Sequence, residues 1–480
     1  MDAASFRQAY IDGRWVDGTR HFPVTNPATG AVLTEVPDLG ADETRAAIDA
    51  AQAAFPGWAA RTAKDRSVIL RRWFDLMIAN ADALAALMTA EQGKPLAEAR
   101  GEVVYGASFI EWFAEEAKRA YGETIPTTVG TKRYLTIRQP VGVVAAITPW
   151  NFPIAMITRK AGPALAAGCT VVIKPPAETP LCALALARLG EQAGLPAGVL
   201  NVVTTTNSRA VGGELCASPH VKALSFTGST EVGKILYRQC ADTVKKLGLE
   251  LGGNAPLIVF DDADLDQAVE GALASKYRNA GQTCVCANRF LVQAGIHDAF
   301  AARLAEKVKA MKVGPGDQPG VAVGPLINAE AIDKVDGMVA EAVAAGATVV
   351  TGGKRAALGG LFYEPTVLAN VTPAMTVVTE EIFGPVAPLV RFDTEADAIR
   401  LANATQYGLA AYVFTRDISR VIRVSEALEY GMVAVNEGIL STEVAPFGGV
   451  KESGLGREGG QEGLHEYLET KYICLGGIDR

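Results

Sequence analysis

From Val141 onward the chain alternates short apolar runs with amphipathic stretches, and this alternation constrains its fold more than any other feature. The strand-like runs are residues 141–147, 169–173, 200–203 and 223–226, and the helical stretches between them are 156–167, 180–193 and 211–217. Strands that alternate with helices form βαβ units, whose parallel sheet is covered on both faces. The region therefore predicts a Rossmann-like domain, which binds a nucleotide at the carboxyl edge of its sheet.

A second alternating series follows Gly252 and predicts a second α/β domain. Its strand-like runs are 256–260, 290–292, 348–350, 387–392, 411–414 and 432–435, and its helical stretches are 264–277, 297–311, 328–345 and 394–404. We therefore expect one domain over 1–131 and 140–251, and another over 252–450. Residues 132–139 and 467–480 are expected to pair as exposed strands in an arm for subunit contact. Apolar residues spaced by three and four predict one helix from about 64 to 92.

Charge and composition exclude several kinds of partner. The 480 residues include 45 basic and 53 acidic ones, a net charge of −8. Nucleic acid and anionic membrane surfaces both favour a basic field, so neither is expected as a partner. Seven cysteines suit no disulfide framework and four histidines show no ligand spacing, so we expect a reducing compartment and no metal site. The N-terminus has no apolar signal segment, which predicts a cytoplasmic protein without a membrane span.

Three separate segments contain the groups that acyl chemistry requires. Cys284 lies in GQTCVCANR (281–289), Glu250 in LELGGNAP (249–256) and Asn151 in TPWNFP (148–153). A thiol can serve as nucleophile, a carboxylate as a base for water, and an amide as an oxyanion donor. Alone, each residue is more often a buried cysteine, a paired carboxylate or a turn asparagine. Together they favour a catalytic site.

Two glycine-rich segments match phosphate-binding patterns in part. Residues 454–459 satisfy G-x-G-x-x-G, but no apolar strand precedes them, so a loop is expected. Residues 228–234 nearly match a P-loop, but Ile235 replaces the hydroxyl residue that would hold magnesium. This turn follows a strand and begins a helix, so its N–H groups could bind a phosphate without a metal. An ordinary N-cap by Ser229 or Thr230 explains the spacing equally well.

Six segments, taken together, resemble the motifs of the aldehyde dehydrogenase superfamily and follow the family's order. They cover nearly the whole chain and are PWNFP (149–153), FTGST (226–230), LELGG (249–253), GQTC (281–284), EIFGP (381–385) and PFGGVKESG (446–454). Residues 156–160, 278–281 and 284–286 are most similar to succinate-semialdehyde dehydrogenases. The resemblance implies two Rossmann-like parallel-sheet domains, the first binding NAD(P) and the second catalytic. It also implies that a small β arm joins a homodimer or homotetramer.

The same resemblance implies a reaction, the NAD(P)-dependent oxidation of succinate semialdehyde to succinate in 4-aminobutyrate degradation. Cys284 would add to the aldehyde, while the Asn151 amide and the Cys284 N–H stabilise the oxyanion. The thiohemiacetal would pass a hydride to the nicotinamide and leave a thioester, which water activated by Glu250 hydrolyses. Each preorganised donor can contribute a factor of roughly a hundred to the rate.

Binding residues also follow from the resemblance. Ala177 stands where NAD-selective members have a glutamate, so a 2′-phosphate would meet Lys174 without repulsion, and we expect NADP with NAD tolerated. Arg159 and Arg278 match the arginines that bind the semialdehyde carboxylate, with Ser441 as a hydroxyl partner. A guanidinium suits a carboxylate because it donates two parallel bonds, although each arginine could instead form a surface salt bridge. The other implied cofactor residues are Trp150, Pro175, Pro176, Gly228, Ser229, Leu251, Glu381 and Phe383.

Several alternatives stay open from the sequence. Glutarate semialdehyde or another ω-carboxy aldehyde would also fit, because one methylene is discriminated only weakly. A cofactor-free thiol esterase would need a histidine beside Cys284, and no histidine lies in the shared segments. A catalytically silent relative would have no need of Cys284, Glu250 and Asn151 together. Cys286 raises the separate hypothesis of a strained, readily reduced disulfide with Cys284 that switches the enzyme off.

Overall fold

Two large sheets covered by helices form the frame of the computed structural model, which describes residues 2–478. The strands are β1 (Ala9–Ile11), β2 (Arg14–Val16), β3 (His21–Thr25), β4 (Val32–Pro37), β5 (Thr124–Ile125), β6 (Arg133–Pro140), β7 (Val143–Ile147), β8 (Thr170–Lys174), β9 (Leu200–Val202), β10 (Val221–Thr227), β11 (Lys246–Glu250), β12 (Ala255–Val259), β13 (Ala287–Gln293), β14 (Thr348–Thr351), β15 (Thr366–Ala369), β16 (Val386–Phe392), β17 (Ala410–Phe414), β18 (Met432–Val435), β19 (Gly454–Leu455) and β20 (Leu468–Leu475). The α-helices are α1 (Ala41–Ala59), α2 (Ala63–Ala79), α3 (Ala81–Gln92), α4 (Leu96–Glu116), α5 (Ala155–Ala167), α6 (Pro180–Ala193), α7 (Ser208–Ala217), α8 (Thr230–Cys240), α9 (Leu265–Lys276), α10 (His297–Lys309), α11 (Ala329–Ala344), α12 (Thr376–Thr379), α13 (Glu395–Asn403), α14 (Ile418–Ala427) and α15 (Glu462–His465).

The first sheet has the order β19-β11-β10-β7-β8-β9-β1-β2. Strands β7 to β11 are parallel, and β1, β2 and β19 add antiparallel edges. Strands β7 and β8 are buried along their whole length because helices cover both faces of the sheet. The strand order reverses between β7 and β10, which opens a crevice at their carboxyl ends. This confirms the predicted Rossmann-like fold.

The second sheet has the order β14-β15-β16-β13-β12-β17-β18. Its strands are parallel except for β14, which pairs antiparallel with β15 at one edge. All six predicted strands of this region are present, and β15 is an additional one. Because β12 directly follows β11, the last parallel strand of the first sheet, the carboxyl edge of that sheet lies beside the second sheet.

A third, smaller sheet contains the predicted arm. Strand β20 pairs antiparallel with β6 over its whole length, from Leu468 opposite Pro140 to Leu475 opposite Arg133. Strand β5 extends the same sheet on the other side of β6. The predicted strand pairing is therefore confirmed, and contact between subunits stays a prediction.

The prediction of one helix over 64–92 was wrong, since α2 and α3 are separate helices that meet at Asn80. Asn80 leaves helical geometry at φ −106° and ψ 15°, and its side chain donates to the Leu76 carbonyl at 2.8 Å. Asparagine breaks helices in this way because its short side chain competes for backbone hydrogen bonds.

No helix within residues 2–478 combines the length and the apolar character needed to cross a bilayer.

Candidate active site

A cleft of about 290 Å³ lies where the strand order of the first sheet reverses. Strand β7 leads into the turn that bears Trp150 and Asn151, and β10 leads into Gly228 and Ser229. The cleft brings together eight predicted site residues, namely Asn151, Cys284, Trp150, Gly228, Ser229, Leu251, Glu381 and Phe383. The rest of the lining consists of Pro149, Thr227, Gly252 and Ile382, which belong to the quoted motifs, and of Ala331 and Lys334, to which no motif pointed.

Cys284 lies in this cleft and is partly exposed. Burial raises the pKa of its thiol to about 12, because a thiolate is poorly solvated there and Glu381 adds negative charge. The backbone N–H of Cys284 has no acceptor among residues 2–478. Its carbonyl oxygen would lie 2.4 Å from a Cβ on Gly253, so only glycine fits there. Cys286 is also a free thiol and lies 3.5 Å from the Lys276 carbonyl, and a disulfide with Cys284 stays a prediction.

Asn151 is 3% exposed and reaches the turn that carries the nucleophile. Its Nδ2 donates to the Gln282 carbonyl at 3.0 Å, which leaves its second N–H for another acceptor. The backbone carbonyl of Asn151 accepts from Lys94 Nζ at 2.7 Å and from Asn279 Nδ2 at 3.0 Å. The amide and the unpaired Cys284 N–H are therefore two donors beside one thiol, an arrangement that suits an oxyanion.

Glu250 ends β11, but its carboxylate lies outside the cleft. It occupies a narrow cavity with Arg457 and Glu458, and its Oε2 is buried without a hydrogen bond. Burial, with the negative charge of Glu458, raises the pKa of Glu250 well above its ordinary value. This environment favours the protonated carboxyl over the carboxylate.

The other side of the cleft contains Glu381, Phe383 and Trp150. Glu381 Oε1 accepts from the Gly253 N–H at 3.1 Å, and burial raises the pKa of the carboxyl to about 7. Phe383 has a left-handed φ of 56°, and its ring meets Trp150 edge-on at 5.6 Å between centroids. A strained backbone of this kind is typical of ligand sites.

Ser229 is the N-cap of α8, and its hydroxyl accepts from the Val232 N–H at 3.3 Å. The ordinary capping interpretation of this turn is therefore correct, and the helix N-terminus still faces the cleft through Gly228 and Ser229.

The G-x-G-x-x-G segment is a loop apart from the two residues of β19, as predicted. Its glycines at 454, 456 and 459 have φ of 133°, 80° and 72°, which explains their presence.

Lys174, Pro175, Pro176 and Ala177 lie outside the lining of this cleft. They follow β8, which is adjacent to β7, so they share the same carboxyl edge. Lys174 is 6% exposed and has no ion-pair partner among residues 2–478, and burial lowers its pKa to about 8 although Glu178 opposes the shift. Ala177 and Glu178 line a second cavity, of about 310 Å³, which is separate from the cleft that contains Cys284. The unpaired amine of Lys174 lies on the same sheet edge as the Glu381 carboxylate and the Trp150–Phe383 pair in the cleft. These groups together fit a dinucleotide that lies along the carboxyl edge of the first sheet. No group of His, Cys, Asp or Glu in the described part of the chain is arranged to hold a metal ion.

The two predicted substrate arginines differ in their surroundings. Arg159 is 2% exposed, lies 3.9 Å from the centroid of the Phe447 ring and forms an ion pair with Glu458 at 2.7 Å. This contact is electrostatic, because the angles are not those of a hydrogen bond. Arg278 is partly exposed and lies 5.4 Å from the Phe152 ring centroid. No carboxylate among residues 2–478 lies within 4.0 Å of Arg278, and its buried Nε has no acceptor.

Tyr105, on α4, joins this group although no sequence motif pointed to it. Its hydroxyl is buried and meets no hydrogen-bond partner in the described part of the chain. Burial raises the pKa of Tyr105, and Arg159, Arg278 and the nearby Ser441 hydroxyl oppose the shift. Arg159, Arg278 and Ser441 therefore lie near Tyr105. Nothing in the sequence separates Tyr105 from an ordinary core tyrosine, because its neighbours come from distant segments.

The fold and the cleft are those of a nucleotide-dependent enzyme with a thiol in its site. The aldehyde dehydrogenase family pattern matches residues 15–473, and the chain belongs to this family. The NADP⁺-dependent succinate-semialdehyde dehydrogenase of Escherichia coli K12 is 61% identical over 478 residues, 99% of each chain. The glutarate-semialdehyde dehydrogenase of Pseudomonas aeruginosa is 60% identical over 480 residues, again 99% of each. The crystal structure of succinate-semialdehyde dehydrogenase from Burkholderia pseudomallei superposes with a TM-score of 0.97, at 60% identity and 98% coverage of each chain. The predicted family is confirmed.

Proposed function

We propose that this protein oxidises succinate semialdehyde to succinate with NADP⁺, accepts NAD⁺ less well, and acts in 4-aminobutyrate degradation. The observation that carries the choice of substrate is the Arg278 guanidinium, which lacks a carboxylate partner among residues 2–478. It lies six residues before Cys284, so an anion bound there belongs to a short substrate. The relatives that act on succinate and glutarate semialdehydes support the same class of aldehyde.

The Cys284 thiol gives up its proton to water, its Sγ forms a bond to the aldehyde carbon as the carbonyl π bond breaks, and the resulting oxyanion accepts from Asn151 Nδ2 and from the Cys284 N–H. A nicotinamide bound in the cleft would accept a hydride from this carbon, which would leave the carbon as a thioester on Cys284. Two donors fixed beside the thiol stabilise charge that exists only during reaction, which is why they raise the rate. Water then attacks the thioester carbon, and the Cys284 thiol leaves.

Glu250 is the base for that water. In its present cavity burial and Glu458 raise its pKa, which favours the protonated form. Any proton must leave, and its carboxylate must turn towards Cys284, before it can act. Glu250 is the last residue of β11 and precedes Leu251 in the cleft, so a change of side-chain rotamer is the motion required.

The cofactor is held along the carboxyl edge of the first sheet. Glu381 binds the nicotinamide ribose, and Trp150, Leu251 and Phe383 pack around the dinucleotide. Gly228 and Ser229 at the start of α8 lie by its phosphates, where the positive end of the helix favours an anion. Lys174, with Pro175, Pro176 and Ala177, receives the adenosine ribose, and the absence of a carboxylate at 177 supports NADP⁺.

Four side chains, Arg159, Arg278, Ser441 and Tyr105, are assigned to the substrate carboxylate. Arg278 has the stronger electrostatic claim, since Glu458 already neutralises part of the charge of Arg159. The buried Tyr105 hydroxyl without a partner can donate to a carboxylate oxygen. Glutarate semialdehyde is a second candidate, supported by the Pseudomonas relative and by the weak discrimination of one methylene.

The assignment is tested by nucleotide reduction with succinate semialdehyde, glutarate semialdehyde and butanal, each with NADP⁺ and NAD⁺. We expect Arg278→Met to lower kcat/KM for both semialdehydes by about 100-fold, because a charge-assisted contact of roughly 2–3 kcal/mol is lost. Butanal has no carboxylate, so its kcat/KM should stay within about threefold. Equal losses for all three aldehydes would remove the carboxylate assignment. Ester hydrolysis without any aldehyde-dependent nucleotide reduction would favour the cofactor-free esterase instead.

We also propose a division into a cofactor-binding domain (1–131 and 140–251) and a catalytic domain (252–450). The arm formed by 132–139 and 467–480 would join a homodimer or homotetramer; residues 479 and 480 lie outside the described residues. Nucleic acid and membranes are not partners in this proposal, in line with the net charge of −8. Seven free cysteines support a reducing compartment, the cytoplasm.

A further inference from the structure

Three successive residues before the nucleophile have left-handed backbones. Asn279, Ala280 and Gly281 have φ of 51°, 55° and 76°. Side chains with a Cβ rarely adopt this region, so the surroundings must hold the segment in place. Gly281 is confined by a close approach, since a Cβ there would lie 2.2 Å from the Gly384 carbonyl oxygen.

Asn279 is 2% exposed, and its side chain and backbone N–H are all bonded. Its Oδ1 accepts from Gln92 Nε2 at 2.9 Å, at the end of α3. Its backbone N–H donates to Glu98 Oε2 at 2.8 Å, in the first turn of α4. Two helices, α3 and α4, thus fix the position of this one residue.

The Nδ2 of Asn279 links the two turns that carry the oxyanion donors. It donates to the Asn151 carbonyl at 3.0 Å and to the Gln282 carbonyl at 3.2 Å. The Gln282 carbonyl also accepts from Asn151 Nδ2 at 3.0 Å. Gln282 lies two residues before Cys284, so the same hydrogen bonds set the distance between the Asn151 turn and the Cys284 N–H.

We propose that Asn279 is a positioning residue, which sets the separation of the two donors to the oxyanion, Asn151 Nδ2 and the Cys284 N–H. Both of its Nδ2 hydrogens are used by protein carbonyls, so it acts through Asn151 and Gln282 rather than on the substrate. Lys94 holds the Asn151 carbonyl from another side, at 2.7 Å, but makes no hydrogen bond to the nucleophile's turn. Between residues 2 and 478, Asn279 is the one residue outside the two turns whose side chain bonds to both of them. The inference rests on the proposed roles of Asn151 and Cys284.

The test compares a reaction that forms an oxyanion with one that does not. In Asn279→Gly the left-handed backbone is retained without strain, and the side chain is removed. We expect kcat for aldehyde oxidation, and the nucleotide-free acylation by p-nitrophenyl acetate, to fall by about 10- to 100-fold, as for a displaced catalytic group. KM for the aldehyde should change by less than about threefold. Alkylation of Cys284 by iodoacetamide forms no oxyanion, so its rate should stay within about twofold.

Two further variants keep the result interpretable. Asn279→Asp has nearly the same volume as the wild-type side chain and keeps an acceptor for Gln92, but it has no donor for the two carbonyls. It replaces Asn279→Gly if that variant is poorly folded, and we again expect slower acylation with an unchanged rate of alkylation. Asn201→Ala removes a comparably buried asparagine on β9 that donates to the Gly198 carbonyl at 2.8 Å, and it should change neither rate per folded molecule.

The outcomes separate this inference from the proposed function. If Asn151→Ala keeps wild-type turnover, the proposed oxyanion site is wrong. If Asn151→Ala is impaired while Asn279→Gly acylates within about threefold of wild type, only the positioning role is wrong. Equal losses in acylation and alkylation would also overturn it, because they indicate a general loss of structure around Cys284.

Discussion

Cys284 combines a nucleophile's position with a thiol that resists ionisation. Its pKa of about 12 means that only a trace of thiolate exists at neutral pH without cofactor. We therefore expect the alkylation of Cys284 by iodoacetamide to become about tenfold faster per pH unit from about pH 7 to about pH 10, without a plateau. Peptide mass spectrometry resolves Cys284 from the other cysteines, and glutathione serves as the solvated control. A plateau below about pH 9 would mean that the free enzyme already activates its thiol.

Lys174 provides a pH test of the cofactor assignment. Burial lowers its pKa to about 8, so the amine is charged at neutral pH and loses its charge as the pH rises above that value. A bound 2′-phosphate favours the charged amine and raises its pKa in the complex. The Kd for NADP⁺ should therefore rise between about pH 7 and about pH 9.5, while the Kd for NAD⁺ changes little. Titration calorimetry measures both. In Lys174→Met the NADP⁺ profile should become as flat as that of NAD⁺, and an unchanged slope would contradict the assignment.

The sequence pointed to residues in recurrent motifs that line the cleft but not to those that hold them in place. Cys284, Asn151 and Glu381 could be proposed because their motifs are contiguous. Asn279 and Lys94 act on Asn151 across 128 and 57 residues of chain, and no local pattern marks such contacts. The conformation of Glu250 was equally unpredictable, since it depends on Glu458 at the far end of the chain.

At the scale of elements, most parallel strands were predictable, whereas β11, β15 and several helices were not. A strand buried on both faces, such as β7, is an apolar run with little ambiguity. Helix α1 buries only five residues, of which two are alanines and one is a threonine, and it contains Pro56, so its apolar periodicity is weak. Helix α4 buries Glu102, which interrupts its apolar face. Both helices were missed because tertiary contacts, not amphipathic pattern, explain their residues.

The buried pair Lys94–Glu102 fixes helix α5 to the site. The two side chains are 1% exposed, and Glu102 Oε1 accepts from the N–H groups of Ile154 and Ala155 at 2.9 and 3.2 Å, which caps the helix. Removing one partner leaves an unpaired buried charge, so Lys94→Met and Glu102→Leu should each destabilise the fold by about 3–5 kcal/mol. The double variant should cost less than the sum by about 2–3 kcal/mol. Thermal unfolding of the four proteins measures this coupling, and additive losses would contradict it.

At the scale of the whole molecule, the arm is poorly buried by its own sheet, since most residues of β20 are exposed. Strand β20 is an edge of the three-stranded sheet, so one side of its backbone has no strand partner among residues 2–478. Unprotected edges with exposed apolar side chains favour association. Tyr472 is 57% exposed and Leu475 is 43% exposed, and both lie on this strand. A second copy of the chain is the partner that the proposed oligomer supplies.

We therefore expect charge on β20 to dissociate the oligomer without unfolding the subunit. In Tyr472→Asp/Leu475→Asp a carboxylate would have to be buried without a partner at the interface, which costs several kcal/mol. Light scattering after size exclusion should show a shift from an oligomer towards the 50.3 kDa chain or a smaller assembly, with an unchanged far-UV circular dichroism spectrum. Leu358→Asp introduces the same charge at a residue that is 59% exposed on a loop outside the arm, and its mass should not change. If the β20 variant keeps the wild-type mass, subunit contact lies elsewhere, and the exposed apolar residues of β20 have another role.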